Sequence, residues 1–180
     1  MIRQHLIAVA LALAVFDTPF YAEAKAPPFT AIVVRFADAD TFVARRSDGS
    51  EVKVRLHIVD APELAHNARE RDQPFGREAL AYVNRYWLND AVVVTPRSES
   101  YGRIVADVGR PGRDAFSLQY SLVRLGYAWC DPRFKPTKSL VESQEKAKAG
   151  RNGVWSEAEP MPPWEWRKIE RERRIQEQQR

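Results

Sequence analysis

Cysteine is nearly missing from this chain. Cys130 is the only one among 180 residues, so no intramolecular disulfide can form and stability must come from the core. Histidine is scarce too: His5, His57 and His66 show no ligand spacing with one another or with Cys130, which excludes a zinc motif. No internal repeat is present. The main apolar run, "LIAVALALAVF" at 6–16, falls short of the roughly 20 residues that a bilayer crossing needs. Charge of one sign is not dominant either. The net charge of +4 and the sequence pI of about 9.3 form a moderate basic balance, which favours anionic partners such as nucleic acid or membrane surfaces.

What is there divides into three parts. Residues 1–24 carry Arg3, the apolar run and the small-residue pattern Ala22-Glu23-Ala24, the layout of a secretory leader. Export to the periplasm or the cell exterior is the expectation. Residues 25–159 read as one domain, and 160–180 as a tail of interleaved charges, helical or disordered.

Within the domain, "TAIVVRFADADTFVARR" holds two apolar runs separated by "ADAD", and "SDGS" at 47–50 reads as a tight hairpin turn. "EVKVRLHIVD" alternates, with Val52, Val54, Leu56 and Ile58 on one face and Lys53, Arg55 and His57 on the other. The first third is therefore expected to be a three-stranded antiparallel meander. "FGREALAYVNRYWLN" has Leu80, Val83 and Trp87 at helical spacing. "AVVVT" and "YGRIVADV" read as two more strands. "AFSLQYSLVRLG" and "LVESQEKAKAG" read as helices stopped by Gly126 and Gly150. Five strands and three helices predict an α+β protein built on a small closed barrel.

Four carboxylates sit at strand ends: Asp38 and Asp40 between the first two strands, and Asp60 and Glu63 where the third one exits, stiffened by Pro62. Converging carboxylates repel and call for a cation, and an all-oxygen set suits Ca²⁺ or Mg²⁺. Arg55 lies between the two groups, and its planar fork matches a phosphate. A metal, arginines and a spare carboxylate together suit phosphodiester hydrolysis. The plainer alternative makes "DAD" an Asx-type turn and Arg55 a surface ion pair.

"DADT" at 38–41, "VRLHIVDAPE" at 54–63, "QPFGREA" at 73–79, "YGR" at 101–103 and "GVWSE" at 153–157 together resemble the staphylococcal nuclease (thermonuclease) family, over roughly Phe29 to Glu159. The resemblance implies an OB-fold, a five-stranded β-barrel with three helices. It implies Asp40, Asp60 and the backbone carbonyl of Ala61 as ligands of Ca²⁺, ahead of Mg²⁺ or Mn²⁺, with Asp38 in support. Glu63 matches the carboxylate assigned as general base, Arg55 and Arg103 the arginines that clamp the scissile phosphate, and Tyr101 a tyrosine lining the nucleotide pocket. DNA and RNA are the implied substrates, cut with little sequence preference to leave 3′-phosphates. A monomer with no stable protein partner is expected.

The chain departs from the family pattern in places. Ala61 stands where a threonine is usual, which matters little for a backbone ligand. Ala39 replaces a turn glycine, and a left-handed backbone there would be strained. His57 reads as a packing or polar contact, and Phe134 is placed to stack on a base. The alternative function is a non-catalytic OB-fold that binds nucleic acid or a protein.

Overall fold

The computed structural model describes residues 26–179; the leader expected at 1–24 lies outside them. The first three strands, β1 (Phe29–Asp38), β2 (Thr41–Arg46) and β3 (Glu51–Leu56), form the expected antiparallel meander, with burial alternating along β1 and β3 and three consecutive buried residues in β2. Asp38 pairs with Thr41 across the first turn. At the second turn only Gly49 takes a positive φ, 84°, while the Asp48 carboxylate accepts from the Ser50 backbone N–H at 2.9 Å. The turn is thus a longer loop closed by a left-handed glycine rather than a two-residue Asp-Gly turn.

Past β3 the chain breaks at Ile58, whose φ of 61° is an outlier for a β-branched residue. It then forms the short β4 (Val59–Asp60). Helix α1 (Gly76–Tyr86) follows, burying Ala79 and Val83 on one face, and Trp87 is buried just beyond its end. Strands β5 (Ala91–Ser100) and β6 (Arg103–Arg110) complete the wall. The order β3-β2-β1-β5-β6 is closed by a parallel β3–β6 pairing, giving the predicted five-stranded barrel. Its interior is filled by Val33, Phe42, Val54, Leu56, Val92, Val94 and Val108. Three further strands, β4 among them, lie outside that count. β7 (Arg113–Ser117) extends the sheet beyond β6, and β8 (Trp129–Cys130) pairs with β4.

The helices α2 (Leu118–Leu125), α3 (Lys138–Ala149) and α4 (Pro163–Gln178) follow, so the described residues hold four α-helices where three were expected. The expected helix from residue 115 begins only at Leu118, because the Ser117 side chain caps it by accepting the Tyr120 N–H at 3.1 Å. The charged tail is the fourth helix, started by Pro163 at its first turn. Gly150 caps α3 with an ordinary φ of −80°, and the left-handed residue is Arg151 instead. Cys130 is half-buried, and burial pushes its thiol up to about 11, so it is packed rather than reactive.

Gly126 ends α2 with a φ of +71°, and a Cβ there would meet the Asn152 carbonyl oxygen at 2.0 Å. Both the backbone geometry and the close approach demand glycine. Gly126→Ala is expected to cost about 3 kcal/mol, and thermal unfolding would show it as a fall in Tm of roughly 6–12 °C.

Candidate active site

The β2–β3 register sets Thr41 opposite Arg55, so Asp40, one residue earlier, stands at the mouth of the barrel beside that arginine. The break at Ile58 turns the chain back, and β8 pins Asp60 by pairing it with Trp129. The two aspartates therefore meet on one guanidinium. Arg55 donates from Nη1 to Asp40 Oδ1 at 2.8 Å and from Nη2 to Asp60 Oδ1 at 2.6 Å. Asp40 is 1 % exposed and Asp60 0 %, so the plainer reading of Arg55 as a surface ion pair fails. Asp40 also accepts the Ala61 backbone N–H on Oδ2 at 2.8 Å and the Thr41 hydroxyl on Oδ1 at 3.0 Å. These contacts tie both halves of the cluster into one unit.

Glu63 is held by its own backbone. Its N–H donates to Gln73 Oε1 at 3.1 Å, and its carbonyl accepts the Gln73 N–H at 2.8 Å. A Cβ on Gly76 would lie 2.9 Å from that carbonyl oxygen, so the "QPFG" stretch packs directly on the Glu63 segment. Gln73 is a site-shaping residue that sequence reasoning quoted in a motif but gave no role. Two arginines went unnoticed altogether. Arg133, paired with Asp131, brings Nη2 to 3.9 Å from Asp60 Oδ2. Arg167, on α4, donates to Asp60 Oδ2 at 2.7 Å and Oδ1 at 3.1 Å, and to Glu63 Oε1. Nothing in the tail's mixed charges singles Arg167 out.

Arg103 and Tyr101 lie elsewhere on the barrel wall. Val105 pairs with Arg55, so Arg103 shares that face about 7 Å further along by strand rise. Among the described residues Arg103 has no ion-pair partner. Tyr101 and Gly102 turn the β5–β6 hairpin with φ of 51° and 70°, and Tyr101 is 95 % exposed. It does not pack beneath the turn. His57 makes the expected polar contact, Nδ1 to Asp107 Oδ1 at 3.1 Å, with Phe134 edge-on to its ring at 5.0 Å. Ala39 is buried and has no positive φ, so the anticipated strain does not arise.

The electrostatics follow from confinement. Burial raises the Asp40 carboxyl above its usual range, opposed by the Arg55 guanidinium. Burial also raises Glu63, opposed by Arg167. Burial, helped by the neighbouring Asp40 carboxylate, lifts Asp38 to about 7. Asp38 Oδ1 is buried without a hydrogen-bond partner among the described residues. By lone-pair count, Asp40 and Asp60 each keep one free acceptor site, both on Oδ2. Orphaned and part-filled oxygens of this kind fit a hard divalent ion. No three His, Cys, Asp or Glu side chains among the described residues gather closely enough to hold a metal by themselves, so backbone and water oxygens would complete its shell.

Asp38 gives the site a pH signature. Its folded pKa lies above the unfolded value of 3.8, so the native state binds the extra proton and that contribution is lost as pH rises through about 7. In chelator, Asp38→Asn is expected to raise Tm at pH 8 more than at pH 5. Melting curves across that range test it, and an equal shift at both pH values contradicts the assignment.

Residues 53–157 match the family described as staphylococcal nuclease homologue. An "uncharacterized endonuclease" of Escherichia coli is 33 % identical over 136 residues, covering 75 % of this chain and 82 % of its own length. The E. coli "Protein ParB" is 30 % identical over 177 residues, 93 % of this chain and 92 % of its own. A "probable staphylococcal-like nuclease" of Oryza sativa subsp. japonica is 30 % identical over 141 residues, 75 % of this chain but 40 % of its own length. With the closed barrel and the motif residues in order on its wall, the chain belongs to the staphylococcal nuclease homologue family.

Proposed function

We propose that this protein is an exported, Ca²⁺-dependent nuclease that hydrolyses phosphodiester bonds of DNA and RNA with low sequence specificity, leaving 3′-phosphates. The observation that carries the reading is the bridging of buried Asp40 and Asp60 by Arg55, with the Glu63 carboxylate joined to the same cluster through Arg167. Asp40, Asp60 and the Ala61 carbonyl would hold the ion, with Asp38 beside them. When bound, the ion polarises a phosphoryl oxygen and lowers the charge that the attacking water must approach.

The remaining work falls to the chain. Glu63 Oε1 is engaged by Arg167, which leaves Oε2 to take the proton of the attacking water. Burial raises the Glu63 carboxyl above its usual range, opposed by Arg167, a direction that strengthens it as a base. Arg55 keeps donors beyond those spent on the aspartates, and Arg103 offers a guanidinium with no internal partner among the described residues. Together they hold the phosphate oxygens and the charge that builds on them. Tyr101 gives a base an aromatic face at the hairpin tip, where stacking is indifferent to sequence. Recognition resting on phosphate charge and stacking explains low specificity.

The test is cleavage of single-stranded DNA and RNA by the full chain, with Ca²⁺ or excess chelator. Cleavage should require Ca²⁺, and Glu63→Ala, Arg55→Ala and Arg103→Ala should each lower kcat by about 10²–10⁴-fold. Failure to cut in Ca²⁺, Mg²⁺ or Mn²⁺ by folded protein leaves a binding module instead. Export is tested by N-terminal sequencing of protein recovered outside the cytoplasm, which should begin near residue 25; recovery of the intact Met1 terminus from the cytoplasm contradicts it.

A further inference from the structure

Helix α4 lies beyond the family-matched segment, yet one of its side chains ends among the catalytic carboxylates. Its position is fixed rather than incidental. Residues 167, 170 and 174 share one helical face, which docks on the segment between Glu63 and α1. Buried Glu170 accepts from Arg71 Nε at 2.8 Å, and Arg174 donates to Glu70 at 2.6 Å. Just before the helix, the Met161 carbonyl accepts from Gln73 Nε2 at 2.7 Å, and Gln73 is the residue that brackets Glu63. The same short segment thus clamps the Glu63 backbone and seats the helix that reaches the Glu63 side chain.

The reach is specific. The Arg167 guanidinium takes Asp60 with two nitrogens, Nη2 to Oδ2 at 2.7 Å and Nη1 to Oδ1 at 3.1 Å, while Nη1 also donates to Glu63 Oε1. A planar fork can hold two carboxylates at a set separation and angle; an ammonium, a point charge on a flexible stem, cannot. Asp60 Oδ2 keeps a free lone pair under this arrangement, and Glu63 Oε2 is not engaged. By lone-pair count Arg167 therefore leaves one acceptor on Asp60 Oδ2 for a cation and Glu63 Oε2 for a proton.

We propose that Arg167 is a positioning residue of the active site, delivered by α4, whose guanidinium fork fixes the Glu63 carboxylate relative to Asp60. The inference rests on the nuclease reading of the cluster. It makes the C-terminal helix part of the reaction apparatus, where the sequence alone reads as a charged tail. Displacement of a catalytic group by as little as 1 Å costs about a hundredfold in rate, the scale expected when the fork is removed.

The test uses the full chain with Arg167→Ala and Arg167→Lys, each alone and combined with Glu63→Gln. Lys168→Gln, on the exposed side of α4, serves as a control that removes a charge from the helix without touching its docking face. DNA cleavage kinetics and, without substrate, Ca²⁺ affinity by calorimetry are measured on all. Both Arg167 variants should lose kcat by roughly 30–100-fold with KM within about threefold, and free guanidinium should restore part of the loss in Arg167→Ala. Ca²⁺ affinity should stay within about threefold, Lys168→Gln should keep its kcat, and Arg167→Ala should cost nothing further on Glu63→Gln. Full activity in Arg167→Ala overturns the proposal, as does an undiminished loss on the Glu63→Gln background. Tenfold tighter Ca²⁺ binding with unimpaired cleavage also overturns it, because Arg167 would then be a plug that the ion displaces. If the unmodified protein cuts nothing, the nuclease reading itself has failed, an outcome distinct from each of these.

Discussion

The structure depends on gathering Asp38, Asp40, Asp60 and Glu63 at one mouth of the barrel, with Asp40 and Asp60 fully buried there. A buried carboxylate without a partner costs several kcal/mol, so the fold is viable only because a guanidinium meets two of them at once. Arg55 does so from near the end of β3, at 2.8 and 2.6 Å. That requirement constrains its neighbours. β2 must place Asp40 one residue before the partner of Arg55, and the chain must reverse within five residues to return Asp60 to the same guanidinium. The reversal explains Ile58, whose left-handed backbone costs about 1–3 kcal/mol and is retained where it re-aims a functional strand. The β4–β8 pairing then holds what the kink has placed.

Charge balance at this mouth is incomplete, and the imbalance is informative. Among the described residues two arginines, Arg55 and Arg167, donate directly to the carboxylates, while Arg133 stands 3.9 Å from Asp60 and the His66 ring 3.5 Å from Asp38. The excess negative charge collects on Asp38, the member with a buried oxygen and no hydrogen-bond donor for it. A carboxyl in that position relieves the excess either by holding a proton, as its elevated pKa indicates, or by sitting beside a cation. Proton and metal are thus competing answers to one electrostatic demand.

Much of this was legible in the sequence because it is encoded locally. Alternation along "EVKVRL" marked β3 and the outward Arg55, and Asp residues at strand ends marked where charge would gather. What could not be read was carried by longer contacts or by backbone choices that composition does not reveal. The helix expected from residue 115 gave way to β7 because Ser117 pairs with Gly109 and Arg113 with Arg110, and the Ser117 side chain then caps α2. The residue that turns left-handed after α3 is Arg151 rather than a glycine. Helix α4 was the largest gap. Its mixed charges resemble a solvated helix, and only the tertiary pairing of Glu170, Arg174 and Arg167 with residues roughly a hundred positions earlier gives them meaning.

The arginines around the mouth divide their work by how many of their donors the fold has already used. Arg167 spends its fork on Asp60 and Glu63, and Arg133 spends its own mainly on Asp131. Arg55 gives Nη1 to Asp40 and Thr41 and Nη2 to Asp60, so its remaining donors are few and their directions are set. Arg103 is different: it lies on the same barrel face, two residues from the partner of Arg55, with no ion pair among the described residues. Beside it Tyr101 presents an almost fully exposed ring at the tip of a turn whose left-handed geometry holds it outward. A guanidinium with no ion pair among the described residues and an exposed aromatic ring beside it are groups able to take an outside ligand. The mouth therefore has two sides. One is an interior scaffold of arginines joined to carboxylates, and the other is a hairpin edge that an anionic, stackable ligand would complete.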